Sequence, residues 1–147
     1  MIDFEVKAVI DRPVNEVFAY VTDPAKLATW QTNTVAAEQL DDGPLRRGSR
    51  LREVHRGPGG RELVSTVEVT ELEQNRVFAL HVLEGTLPID ARIAFEAWAG
   101  GTLLRFRAYG QPRGTMRIAQ PLLRPVLKWQ FAGYCAKLKQ LLEAQSG

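Results

Sequence analysis

The sequence predicts an α+β domain in which a seven-stranded antiparallel sheet curves around a long C-terminal helix, with two short helices after the first strand. Three observations predict it. From Leu122 to Ala144, the residues Leu123, Leu127, Phe131, Tyr134, Leu138, Leu141 and Leu142 recur every three or four positions and form one apolar stripe. The preceding chain carries period-two alternation interrupted by turn residues at regular intervals. The 147 residues, 45% hydrophobic and 24% charged, suit a single soluble globular domain with a core of its own.

Ile2, Phe4, Val6, Ala8 and Ile10 alternate with charged neighbours, which makes the opening segment a half-buried strand with its even positions inward. Pro13 suits the start of a helix, and Val14, Val17, Phe18 and Val21 supply its apolar face. Asp23-Pro24 ends that helix and caps a second over Pro24 to Thr29, stopping before Trp30. Six strands follow, near 32–40, 49–56, 61–72, 76–84, 88–97 and 102–110. Turns fall at Asp41-Asp42-Gly43-Pro44, Gly57-Pro58-Gly59-Gly60, Gln74-Asn75 and Gly100-Gly101, and Gly85 and Pro88 bound the fifth connection. In the last strand Leu104, Phe106 and Ala108 point inward and Arg105, Arg107 and Tyr109 outward. Pro125 lacks an N–H, a defect tolerated in a first helical turn but costing about 3 kcal/mol in an interior. The regular helix is therefore expected to begin near Pro121 to Pro125, with Thr115 to Gln120 as a separate turn or a kinked segment. Lys128, Lys137, Lys139 and Gln140 fall outside the buried stripe.

This order of elements matches a helix-grip fold, and the sequence resembles the START-like, or SRPBCC (Bet v 1-like), superfamily, most of all its polyketide cyclase/dehydrase type. The resemblance rests on Pro13-Val14-Asn15-Glu16-Val17-Phe18, Val21-Thr22-Asp23-Pro24 with Trp30, Gly48 before a strand, Gly101-Thr102-Leu103 and Leu138-Lys139-Gln140-Leu141-Leu142-Glu143. It spans nearly the whole chain as one domain, 1–147, and its motifs are punctuation of the fold. It implies a hydrophobic ligand held between sheet and long helix. Activities in the superfamily range from lipid or hormone binding to polyketide cyclisation and ring-hydroxylating oxygenase catalysis.

The inner-face positions predict a cavity lined by Leu51, Leu63, Val67, Phe78, Leu80, Ile93, Leu104, Phe106, Leu127 and Phe131. Glu53 and His55 share the inward face of one strand with Leu51, and Ser65 and Tyr134 are further polar candidates on apolar walls. Alternation leaves two arrangements open: Glu53 and His55 enter the chamber as acid–base groups, or they lie hydrated at the open end of the sheet. Trp30 likewise has two readings, core packing at a helix-to-strand corner and contact with the ligand.

No cofactor and no metal is expected. The oxygenase branch of the superfamily uses two histidines and a carboxylate, whereas alternation sends the two histidines here, His55 and His81, to opposite faces. Arg46, Arg47, Arg50, Arg52, Arg56 and Arg61 are clustered, but Arg50, Arg52 and Arg56 occupy one strand face without interleaved aromatics. A solvated outer surface is expected there, not a nucleic-acid site. Trp98 is expected to pack on the adjacent loop. Trp129, opposite the buried stripe beside Ala132, Gly133 and Ala136, either packs on the 115–120 segment or receives a second copy in a homodimer. The single Cys135 excludes an internal disulfide. The N-terminus starts on strand-like alternation without a secretory pattern, and no run reaches spanning length. A cytoplasmic protein without integral membrane association is expected.

Three functions follow from these features. The first is binding of a hydrophobic or amphipathic small molecule, lipid or polyketide-like. The second is a polyketide cyclase or dehydratase-like enzyme in which a shaped chamber positions the substrate and Glu53 and His55 move protons. The third is a protein-interaction module with a filled interior.

Overall fold

The computed structural model describes residues 1–85, 88–111 and 120–145. Strand β1 (Ile2–Ile10) is followed by helix α1 (Val14–Val21), a short 3-10 turn (Pro24–Lys26) and helix α2 (Leu27–Trp30). Strands β2 (Thr34–Gln39), β3 (Arg50–Arg56), β4 (Glu62–Glu73), β5 (Val77–Glu84), β6 (Ile89–Trp98) and β7 (Gly101–Gly110) then meander, and helix α3 (Gln120–Glu143) closes the chain. The seven strands form one antiparallel sheet in the order β1-β7-β6-β5-β4-β3-β2. This is the helix-grip α+β arrangement expected from the alternation and the terminal stripe.

The strands form where period-two patterning buries alternate residues, and the register follows from it. Ile2, Phe4 and Ile10 of β1 are buried while Asp3, Glu5 and Lys7 are exposed or half-buried. On the convex face Arg107 makes a two-pronged pair with Asp3, 3.0 Å from Nε to Oδ1 and 2.7 Å from Nη2 to Oδ2. Arg50, Arg52 and Arg56 are exposed on that side. Bulges between Thr34 and Ala36, between Thr66 and Val67, and between Val69 and Glu71 shift the register, and such bulges bend a sheet.

Beneath the concave face Phe18, Trp30, Val69, Phe78, Ile93, Phe95, Leu104, Phe106, Tyr134 and Leu138 pack as the main core. A second cluster, Ile2, Phe4, Ala108 and Leu127, fills the end at the start of β1. Phe131 touches both clusters, with ring centroids 5.4 Å from Phe4, 5.0 Å from Phe106 and 5.4 Å from Tyr134. Cys135, just off the predicted stripe, is also buried. The C-terminal end of α3 is tied to the end of β1. Lys139 Nζ donates to the Val9 carbonyl at 2.6 Å, and the Asp11 N–H donates to Glu143 Oε2 at 2.8 Å.

Four local expectations are corrected. Helix α3 begins at Gln120, so Pro125 sits inside its second turn. It is exposed, and its missing N–H leaves the Pro121 carbonyl on the same exposed flank without its helical donor. Trp30 is the last residue of α2 and not the residue after it. The β6–β7 turn is made by Ala99 and Gly100, both at positive φ (49° and 84°), as a two-residue hairpin turn requires. Gly101 instead begins β7, where a Cβ would come within 2.5 Å of the Ile10 carbonyl oxygen. Trp98 ends β6 with half of its surface in solvent and is no buried loop anchor. The Thr115 to Gln120 turn lies outside the described residues except for Gln120.

Candidate functional site

Residues two apart on a strand share a face, with Cα atoms about 6.7 Å apart, a gap that a glutamate and an imidazole span. Glu53 and His55 do so on the concave side of β3: His55 Nε2 lies 3.1 Å from Glu53 Oε1. Glu53 is only 6% exposed, and His55 is half-buried. His55 Nδ1 lies 3.3 Å from the Thr34 hydroxyl, whose residue is the direct cross-strand partner of His55 on β2. Thr34 Oγ1 is also 3.5 Å from Gln31 Oε1. Neutral His55 protonated on Nε2 donates to Glu53 and accepts from Thr34; the imidazolium donates to both. A buried carboxylate is costly without such a partner.

Across the β3–β4 ladder Ser65 stands directly opposite Glu53, so both side chains rise from the same face about 5 Å apart at Cβ. Tyr134 comes from α3. Its phenol is pushed up to about 12, first by burial and further by the nearby Glu53 carboxylate, against the lowering effect of the Asn33 N–H and of Gln130. Gln130 Nε2 donates to the phenol oxygen at 2.8 Å. The site thus brings a buried carboxylate, an imidazole and a phenol that stays protonated at neutral pH to one end of an aromatic wall. That set can accept, donate or relay a proton.

The expected cavity wall divides into three groups. Trp30, Phe78, Ile93, Leu104 and Phe106 are buried in the main core, with Leu80 and Phe131 partly buried against it. Leu127 belongs to the cluster at the start of β1. Leu51 and Val67 are buried as a cross-strand pair beside Glu53, while Leu63 lies opposite His55. Burial falls along the concave face. Leu51, Val67, Phe78 and Ile93 are buried, whereas His55, Leu63, Ser65, Leu80 and Ala91, toward the opposite end of the same strands, are half-buried. The Glu53–His55 pair marks the passage from the closed end to the less covered one.

Trp30 is fully buried, its ring 6.2 Å from that of Phe106, and its Nε1–H has no partner among the described residues. An unmet buried donor costs about 1–3 kcal/mol. His81 is exposed on the other face, 2.8 Å from Asp90 Oδ2, and does not meet His55. Among the described residues no three His, Cys, Asp or Glu side chains are placed to hold a metal ion. Two shallow depressions lie elsewhere: one of about 400 Å³ beside Phe18, Leu45 and Leu72, and one of about 350 Å³ on the convex face beside Arg76, Arg92 and Arg105.

The sequence reading missed Thr34, Gln31 and Gln130. The Gln130–Tyr134 spacing of four was a visible signal for one of them. Thr34 depends on a strand register that its own bulge displaces.

A family model described as polyketide cyclase / dehydrase and lipid transport matches residues 1–143. The chain belongs to this family. Solved structures agree on the fold, in keeping with the SRPBCC superfamily. TTHA0849 from Thermus thermophilus is similar with a TM-score of 0.83 at 15% identity, over 99% of both chains. Ara h 8.0201 is similar with a TM-score of 0.69 at 13% identity, over 97% of this chain and 98% of that one. The Aha1 dimer from Colwellia psychrerythraea has a TM-score of 0.67 at 19% identity, over the whole of both chains. At such identities the likeness is one of fold. No curated protein sequence matches this chain. For a member of the polyketide cyclase / dehydrase and lipid transport family, the distinguishing feature is the set of polar groups under α3. No described helix is long and apolar enough to cross a membrane.

Proposed function

We propose that the protein binds a hydrophobic or amphipathic small molecule, lipid or polyketide-like, between the concave sheet and α3. The apolar body lies against Phe106, Phe131 and the β3–β4 residues Leu51 and Val67, and the polar end faces Glu53, His55, Ser65 and Tyr134. The observation that carries this reading is the buried Glu53 carboxylate held by His55 where the concave face passes from closed to half-covered. Few polar groups on apolar walls are the usual composition of a small-molecule site. The partnerless Trp30 N–H is a donor that an acceptor on a ligand would satisfy. Family membership supports the same reading.

The test is native mass spectrometry of freshly purified protein for a retained small molecule, followed by titration with a hydrophobic dye. Retention of a ligand, or saturable dye binding weakened by Phe131→Ala, is expected. A filled interior with neither would favour an interaction module.

A second reading, a cyclase or dehydratase-like enzyme, is favoured by one specific contact: the 3.1 Å Glu53–His55 pair with the protonated Tyr134 phenol nearby. Glu53 would take a proton from the substrate while Tyr134 or His55 supplies one to a developing oxyanion. Glu53→Gln nearly preserves shape, so it separates the readings. For a binder, ligand affinity changes by no more than a few-fold. For an enzyme, turnover falls about 10²- to 10⁴-fold with little change in binding. His55→Gln tests whether the pair works as a unit.

A further inference from the structure

Helix α3 has two apolar faces, and the described fold buries only one. Leu122, Val126 and Trp129 are 75%, 59% and 79% exposed. Their spacings of four and three place them on a single stripe, and Gly133 continues it, roughly opposite the buried Leu127 and Phe131. Among the described residues nothing covers this stripe near Gly133, since a Cβ there would meet no atom within 4 Å. Contiguous exposed apolar side chains of this size mark an interaction surface.

The charges beside the stripe select the partner. Lys128 and Lys137 flank it on either side, and neither makes an ion pair among the described residues. The one acidic residue of α3, Glu143, is held by Lys139 and by the Asp11 N–H. A second copy docked on this face would set lysines against lysines with no carboxylate of α3 to answer them. An anionic surface that also accepts apolar side chains fits both features. The location agrees: Leu127, on the same stretch of α3, packs on Ile2 and Phe4, and Ile2 pairs with Gly110 at the half-covered end of the sheet.

We propose that the N-terminal half of α3 is a docking surface for membranes containing anionic lipids. Leu122, Val126 and Trp129 enter the boundary between headgroups and acyl chains, and Lys128 and Lys137 lie among the phosphates. A tryptophan suits that depth because its ring is apolar and its N–H finds an acceptor there. Docking this way turns the half-covered end of the concave face toward the lipid. The inference goes beyond the ligand reading and does not require it, because the vesicle assay reads surface binding whether or not the interior holds a ligand.

The experiment is co-sedimentation of the full chain with vesicles of phosphatidylcholine alone and of phosphatidylcholine with about one-third phosphatidylserine. Binding to the anionic vesicles is expected, with a blue shift of tryptophan emission, and several-fold weaker binding as salt rises from about 50 to 500 mM. Trp129→Ala should lower the partition coefficient about tenfold and abolish the blue shift. Lys128→Glu should weaken binding several-fold without removing the apolar anchor. Both residues are exposed, and circular dichroism checks that the variants fold. Equal binding of wild type and Trp129→Ala, indifference to phosphatidylserine, or no binding at low salt would overturn the proposal. So would a concentration-dependent dimer in sedimentation equilibrium that Trp129→Ala dissociates, since the stripe would then belong to a second copy.

Discussion

Raising the pH isolates Tyr134, the phenol that α3 carries into the candidate site. Its pKa is raised from 10.0 to about 12, chiefly by burial. In the unfolded chain the phenol ionises near its ordinary value, whereas the folded chain retains the proton. The folded state therefore binds more protons between these two values, and stability falls as pH rises through the window from 10 to about 12. Below 10 the contribution is fully present. Two pKa units at 1.36 kcal/mol each correspond to about 3 kcal/mol, an order-of-magnitude figure usable because the side chain is almost wholly buried. The assay is urea unfolding at several pH values from about 9 upward, for wild type and for Tyr134→Phe. The variant has no phenol at this position and should lose less stability over the window by about that amount. A difference titration of phenolate absorbance, wild type minus Tyr134→Phe, should show one group ionising well above 10. If the difference spectrum instead has its midpoint at 10, or the two proteins lose stability in parallel, Tyr134 is not buried as described.

Three further outcomes follow from the packing. Phe131→Ala should cost about 2–4 kcal/mol, less than a fully buried phenylalanine, because the ring is only partly buried although it touches Phe4, Phe106 and Tyr134; denaturant midpoints measure it. The Cys135 thiol, pushed up to about 12 by burial, should resist alkylation in the folded protein and react on unfolding, so rapid labelling under native conditions would contradict the packing of α3. Glu143 has a carboxyl pKa held below its ordinary 4.5 by the Lys139 hydrogen bond and then by the Asp11 N–H. Its contribution is present above the unfolded value and lost as pH falls through the lowered folded value. Thermal unfolding of Glu143→Gln should accordingly lose less stability than wild type on acidification below 4.5.

The sequence by itself determined the strands and their faces, because a pleated strand alternates its side chains whatever its neighbours are. Ile2, Phe4 and Ile10 faced inward, Arg105 and Arg107 outward, and the stripe ending at Leu142 required a surface to cover. It also placed Glu53 and His55 on one face, since that follows from a spacing of two. What the alternation left open was whether that face would be covered there or hydrated. Tertiary structure decided that α3 carries Tyr134 over the β3 side of the sheet and that β2 delivers Thr34 to His55. The first depends on where a helix crosses a curved sheet, and the second on a register displaced by the bulge between Thr34 and Ala36. Ala99 at positive φ and Pro125 inside a helix were set the same way, by hairpin geometry and by the packing of the rest of α3, against local preference. The exposure of Trp129 was likewise undecided in the sequence, because an apolar residue off the buried stripe is covered or bare according to what the rest of the chain leaves over it.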